Sequence, residues 1–219
     1  MNSSRAFLFL LLLSCFSCGT CDPDIRIGTY LLTPTSQEFF AYNGSETLTF
    51  VDQDGLRHTL TADQGLQFRE IRTTVRDLCE GGFLDKQVMY YDSELQELAF
   101  FDEDGSQVFY LQLNTSYEDN GTVDSIAIYD ILRIETSLFG QTNGRLALLT
   151  STRKNEVSAS HLNDFIRPST YLGDTSLYDR AFTDVYCGLD WNGRTLFYTP
   201  GLGVVAFKID EDQYWVLEE

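Results

Sequence analysis

Two segments fifty positions apart share one pattern and constrain the fold more than anything else in the chain. Leu48-Thr49-Phe50-Val51-Asp52-Gln53-Asp54-Gly55 returns as Leu98-Ala99-Phe100-Phe101-Asp102-Glu103-Asp104-Gly105. In the first copy Leu48 and Phe50 alternate with Thr47 and Thr49, the period of a half-buried strand. Asp-x-Asp-Gly then supplies a turn: the aspartate bonds nearby backbone, and the glycine accepts a positive φ. The chain returns through Leu56, His58 and Leu60 in one case, and through Val108, Phe109, Tyr110 and Leu111 in the other. A degenerate third copy runs over 205–212 and is followed by Tyr214-Trp215-Val216-Leu217. Solenoids and propellers need more regular repetition, so these read as hairpins of one meander.

Further strands are expected at 25–31, 38–42, 87–91, 125–135, 145–151, 183–188 and 195–198. Asn192-Gly193 marks a two-residue hairpin turn. Residues 66–78 fit two periods. Phe68, Ile71, Val75 and Leu78 suit a helix, whereas Thr73, Thr74 and Val75 favour a strand, and the strand is preferred. Residues 160–167 read as one short helix with Leu162, Phe165 and Ile166 on one face, ended by Pro168. The 16 Phe and 12 Tyr suit pleated surfaces and argue against disorder. The expected fold is all-β. It is a single antiparallel domain, either a sandwich or a curved barrel-like meander, with at most one short helix.

The first residues carry a different signal. Arg5 precedes the apolar run Ala6-Phe7-Leu8-Phe9-Leu10-Leu11-Leu12-Leu13, then Ser14-Cys15. The run is far shorter than the ~20 apolar residues that cross a bilayer and reads as an export signal. Leu12-Leu13-Ser14-Cys15 resembles a bacterial lipobox, which implies a lipidated Cys15. Cys18 is the alternative, behind the poorer match Cys15-Phe16-Ser17, and an ordinary cleaved signal without lipid is the plainer reading. The expected organisation is a signal peptide over 1–14, a lipidated tether over 15–24 and a β domain over 25–219. More than one acyl chain makes anchoring stable, as a triacylated cysteine would.

The formal net charge is −18, and beyond the leader the only lysines are Lys86, Lys154 and Lys208. Such a surface repels nucleic acid, which binds through basic contacts that release counterions. It also repels anionic headgroups, so attachment to a membrane falls to the lipid. The acidity itself favours solubility. Outside the cytoplasm disulfides persist, and with Cys15, Cys18 and Cys21 near the anchor, Cys79 and Cys187 are the one pair worth testing for a bridge, whose approach sequence alone does not establish. Cys18-Gly19-Thr20-Cys21 lacks the strand-then-helix setting of a redox motif. Two histidines, His58 and His161, are too few to suggest zinc, and no cofactor is expected.

The C-terminal third adds a resemblance. Phe182-Thr183-Asp184-Val185-Tyr186, then Tyr198-Thr199-Pro200-Gly201-Leu202-Gly203-Val204-Val205-Ala206-Phe207, and finally Trp215-Val216-Leu217 resemble uncharacterised Bacteroidota cell-envelope lipoproteins. In those proteins a tyrosine strand turns through small residues to a Gly-Val/Ile-x-x-Phe strand, and an aromatic-aliphatic strand closes the chain. The front hairpin looks like theirs too. The resemblance implies an outer-membrane lipoprotein, periplasmic or surface-facing. Its residues are β-core and turn residues, and it implies no active site.

Candidate chemistry is sparse, and no catalytic residue is assigned. Asp52, Asp54, Asp102 and Asp104 suggest calcium loops, but no bidentate acid follows at the twelfth position, so turn formation is the preferred role. His161 with Asp164 lacks a G-x-S-x-G elbow. His58, alternating with Leu56 and Leu60, reads as a core or edge histidine. Tyr90, Tyr91, Trp191 and Tyr198 suit sugar or protein contacts, or core packing. Three Asn-x-Ser/Thr sequons begin at Asn43, Asn114 and Asn120; in a bacterial protein they read mostly as turn residues. The expected function is a non-enzymatic binding or structural module of the cell envelope, with an envelope protein or glycan as partner. The alternatives are a carrier of a lipid or hydrophobic ligand, or an envelope hydrolase.

Overall fold

Alternating apolar and polar residues, broken by Gly- and Asp-containing turns, produce strands throughout. The computed structural model describes residues 21–62, 64–80, 86–138, 141–158, 169–189, 195–208 and 213–218. The strands are β1 (Ile25–Tyr30), β2 (Thr47–Asp52), β3 (Arg57–Thr61), β4 (Gln67–Glu80), β5 (Lys86–Phe101), β6 (Gln107–Glu118) and β7 (Ala127–Leu138). They continue as β8 (Gln141–Lys154), β9 (Thr170–Leu177), β10 (Arg180–Leu189), β11 (Thr195–Thr199), β12 (Gly203–Lys208) and β13 (Tyr214–Leu217). One five-residue helix, α1 (Pro34–Glu38), and a 3-10 turn at Val123–Ser125 are the helical elements of the described residues. The fold is all-β and antiparallel, as the sequence pattern predicts.

The chain divides into two compact units, and β4 and β5 contribute residues to both. The first unit comprises the chain up to Thr29 together with Arg72–Asp92. Here β1 and β4 each pair with β5. Cys21 and Cys79 form a disulfide with a Cα–Cα distance of 5.9 Å. This corrects the candidate Cys79–Cys187 bridge: Cys187 is a free, half-buried thiol. Its place in β10 is taken up by ladder pairing with Phe197 on β11 and Thr170 on β9. Residues 21–24, expected to be loose tether, are instead tied to the start of β5. Gln87 Nε2 donates to the Pro23 carbonyl at 2.9 Å, and Val88 N–H donates to Asp24 Oδ1 at 3.0 Å. That brings Cys21 beside the end of β4.

The bridge closes a loop with a sequence separation of 58. Removing it by Cys79→Ser is expected to cost about 2–4 kcal/mol, chiefly by freeing the unfolded chain. Urea unfolding of the variant, compared with the parent with and without dithiothreitol, checks this. Reductant should lower the parent's midpoint and leave the variant's unchanged.

The second unit comprises Tyr30–Ile71 and Ser93–Glu219. Its strands follow the order β8-β7-β6-β5-β3-β2-β13-β12-β11-β10-β9. Both Asp-x-Asp-Gly segments form the expected hairpins, β2–β3 and β5–β6. Leu98, Leu111, Ile134 and Leu146 lie opposite one another across β5 to β8, and all four are buried. The sheet of this unit curls, because β8, at one end of the order, packs on β10, β11 and β12. The approach is close enough to require a glycine. A Cβ at Gly188 would stand 2.7 Å from Leu146 Cβ and against the Arg145 carbonyl. Inside the curl Phe50, Phe109 and Phe207 interlock, with ring centroids 5.1–5.6 Å apart.

The expected strand at 38–42 does not form. Thr33 caps α1, its hydroxyl accepting from Ser36 N–H at 3.0 Å, and Pro34 fits the first helical turn, where its missing N–H costs nothing. Beyond the helix Phe40 and Tyr42 are buried, so the period of two survives without a ladder. The backbone there bonds a side chain instead. Ala41 N–H donates to the Tyr198 hydroxyl at 3.2 Å, and that hydroxyl donates to the Phe39 carbonyl. The 66–78 segment is strand, within β4. The short helix expected at 160–167, the Asn192-Gly193 turn and the acids at 210–212 lie outside the described residues, although β12 and β13 do pair, Phe207 opposite Trp215.

Candidate functional site

The two acidic turns are alike in nearly every bond. Asp52 Oδ1 accepts from the N–H groups of Asp54 and Leu56, both at 2.9 Å. Asp102 Oδ1 accepts from those of Asp104 and Ser106, at 3.1 and 2.8 Å. Gly55 and Gly105 take φ values of 79° and 77°. These are three-residue hairpin loops closed by a left-handed glycine. The first aspartate of each spends one oxygen on backbone, which is turn chemistry. Among the described residues no three His, Cys, Asp or Glu side chains converge as metal donors.

The first turn carries an additional cluster. Asp52 lies opposite Trp215 in the β2–β13 ladder, and His58 follows on β3. His58 Nε2 and Asp52 Oδ2 are 3.0 Å apart, and the imidazole stacks on the Trp215 indole with centroids 3.9 Å apart. The histidine side chain is 31% exposed, which makes it an edge residue. Arg57 clamps Glu218 with two hydrogen bonds of 2.7 Å beside it. Burial pushes the Asp52 carboxyl up, but hydrogen bonds from His58, Leu56 N–H and Asp54 N–H together hold it below the usual range. A His–Asp pair is the orienting half of a nucleophilic triad. Here the carboxylate is shared with the turn and one ring face is covered by indole, so the arrangement chiefly fastens β13 to the hairpin.

A second polar cluster crosses β4, β5 and β6. Glu97 accepts from Arg69, from the Tyr110 hydroxyl and from Gln112 Nε2, the last at 3.2 Å. Burial would raise its carboxyl, but those bonds from Tyr110, Arg69 and Gln112 outweigh it and hold Glu97 below the carboxylate range. Burial and the hydrogen bond to Glu97 push Tyr110 up to about 12. A carboxylate so stabilised in its charged form is a poor proton donor or acceptor near neutrality.

Asp52 and Glu97 have a shared consequence for acid stability. A carboxyl whose folded pKa lies below its unfolded value stabilises the fold above the unfolded value, about 4, and loses that contribution as pH falls through the folded one. The urea midpoint is therefore expected to fall as pH drops below about 4. Glu97→Gln should flatten part of that slope, and an unchanged slope would remove Glu97 from the account.

A third cluster is wholly internal. Asp130 on β7 is fully buried. Its Oδ2 accepts from Thr33 N–H at 3.2 Å and from Ser36 Oγ at 2.8 Å, with Arg153 Nη1 at 3.3 Å, while Oδ1 accepts from Thr115 Oγ1 at 3.0 Å. Arg153 also donates to the Leu31 carbonyl at 2.6 Å, and the Tyr30 carbonyl, 3.0 Å from Thr115 Oγ1, shares the single hydroxyl proton with Asp130 Oδ1. The network holds the turn into α1. Sequence reasoning passed over it, although an acid inside the apolar run Ile126–Ile134 was a visible signal.

Of the aromatic residues proposed for sugar contact, three are described, and each is at least half-buried. Tyr91 and Tyr198 are buried in the core. Tyr90 is half-buried beneath Arg72, whose guanidinium stands 4.1 Å from its ring centroid. Trp191, His161 and Asp164, like Cys15 and Cys18, lie outside the described residues. Asn114 is engaged on both amide atoms, accepting from Arg133 at 2.6 Å and donating to the Thr115 carbonyl at 2.9 Å. No protein-family model, curated protein or solved structure matches the chain.

Proposed function

We propose that this chain is an exported cell-envelope lipoprotein, anchored through Cys15 or alternatively Cys18, serving as a non-enzymatic binding or structural module. The observation that carries the reading is the Cys21–Cys79 disulfide close behind the lipobox-like leader. A bridge of this kind persists in oxidising compartments and is rare in the cytosol. The acidic clusters support a non-enzymatic role, since Glu97 and Asp130 are occupied by partners. The interlocked phenylalanines within the curled sheet tell against a lipid carrier.

The test is the intact mass of the protein recovered from membranes. Expected is a chain beginning at Cys15 or Cys18 and carrying acyl chains, with Cys15→Ser or Cys18→Ser releasing it to the soluble fraction. A mature chain of unmodified mass would overturn the anchored reading.

A further inference from the structure

The chain holds four Asn-Gly pairs, and two of them begin at the exposed, described residues Asn43 and Asn120. In such a pair no side chain shields the glycine nitrogen from the asparagine amide, so a five-membered succinimide ring can close within it. At Asn43 the turn gathers more than the pair. Gly44 N–H donates to Glu46 Oε2 at 2.9 Å, and Asn43 N–H donates to Glu46 Oε1 at 2.6 Å. Asn43 Oδ1 accepts from Ser45 N–H at 3.1 Å and from Ser45 Oγ at 2.6 Å. The attacking nitrogen therefore has a base on its proton, and the amide oxygen has two donors where negative charge develops. Only glycine fits at position 44: its φ is 90°, and a Cβ there would fall on the Leu66 nitrogen. Asn120 is held differently. Gly121 N–H donates to Asp119 Oδ1 at 3.0 Å, but the Asn120 amide is engaged through its nitrogen, Nδ2 donating to the Ser125 carbonyl at 3.2 Å. That bond ties down the group that would have to leave.

We infer that Asn43-Gly44-Ser45-Glu46 is a self-modifying site that converts Asn43 to aspartate and isoaspartate. Glu46 takes the Gly44 amide proton as the Gly44 nitrogen bonds to Asn43 Cγ, and the Ser45 donors hold the charge that forms on Oδ1. The bond from Cγ to Nδ2 then breaks. Its electron pair leaves with the nitrogen, which takes the proton back from Glu46 and departs as ammonia. Water next adds to one of the two imide carbonyls and breaks that carbon's bond to the Gly44 nitrogen. Opening at Cγ gives aspartate, and opening at the main-chain carbonyl gives isoaspartate. One water is consumed and one ammonia released, with no oxidant or reductant. Either product sets a second carboxylate beside Glu46. Isoaspartate also adds a methylene to the main chain between the buried Tyr42 and the tightly seated Gly44, so the loop loses its fit.

The test follows position 43 by peptide mapping with mass spectrometry, which separates asparagine, succinimide, aspartate and isoaspartate. The parent chain is incubated folded, and unfolded in guanidinium chloride, at one pH and temperature. Expected is conversion at Asn43 about tenfold faster or more in the folded chain, with no such gain at Asn120. Conversion at Asn43 no faster in the folded chain would overturn the site, because the turn would then only protect the pair. An equal gain at Asn120 would overturn the roles given to Glu46 and Ser45. Glu46→Gln keeps an acceptor for the loop but removes the base, and should bring the folded rate down to the unfolded one. Ser45→Ala removes one of the two oxygen donors and should lower the folded rate severalfold. An unchanged rate in Glu46→Gln would overturn the base. The comparison of folded with unfolded parent stands even where a variant loosens the loop.

Discussion

Gly203→Ala is expected to destabilise the protein by about 3–5 kcal/mol, enough to remove much of the stability of an ordinary domain. Two costs combine. Gly203 has φ of 86°, a left-handed conformation that an L side chain occupies at a penalty of about 1–2 kcal/mol. A Cβ there would also fall on the Tyr42 hydroxyl and ring. Tyr42 has little room to retreat: it is buried, its ring lies 4.9 Å from Phe100, and its hydroxyl accepts from Val204 N–H at 2.7 Å. Burial, reinforced by the neighbouring Tyr198, pushes its phenol well above the ordinary range, so it stays neutral. Thermal unfolding should show a fall of about 10 °C or more. Gly201→Ala is the control, because a Cβ there meets nothing within 4 Å. Tyr42→Ala placed in the Gly203→Ala background should recover the steric part. A near-neutral Gly203→Ala would refute the close approach.

The second large effect is at Asp130. Asp130→Ala should cost about 3–5 kcal/mol, because it leaves a cation and several buried donors without their acceptor. Arg153, Thr115, Ser36 and Thr33 N–H all converge on that carboxylate. Asp130→Asn keeps one acceptor oxygen and should cost less. Removing Arg153 as well should cost less than the sum of the two single changes, since the pair shares one interaction. Hydrogen exchange gives the location: the amides of α1 should lose protection first. If exchange quickens evenly over the whole chain, the network is not a local clamp.

How far the fold was legible depends on where backbone bonds go. Alternation at Leu48 and Phe50, then Asp-x-Asp-Gly, states both the strand and its turn, because every signal is local. The same alternation at Phe40 and Tyr42 misleads. It reports burial correctly but not the hydrogen-bond partner, which is the Tyr198 hydroxyl contributed from far along the chain. Thr33-Pro34 was the local sign of a helix start, and Ser36 its confirmation. Cysteine pairing escaped for a related reason. Nothing local says that Pro23 and Asp24 are held against β5, and without that contact Cys21 reads as loose tether. The polar clusters were less legible still. Glu97 on β5 draws its donors from β4 and β6, and only the registers of those strands bring them together.

The spare thiol has a consequence for how the bridge endures. Among the described residues Cys21 and Cys79 are bridged, and Cys187 is left as a thiol. Exchange proceeds through the thiolate, and burial pushes the Cys187 thiol up, which keeps it protonated and a slow attacker. In the folded protein Cys187 is therefore a shielded competitor that leaves the Cys21–Cys79 bridge undisturbed.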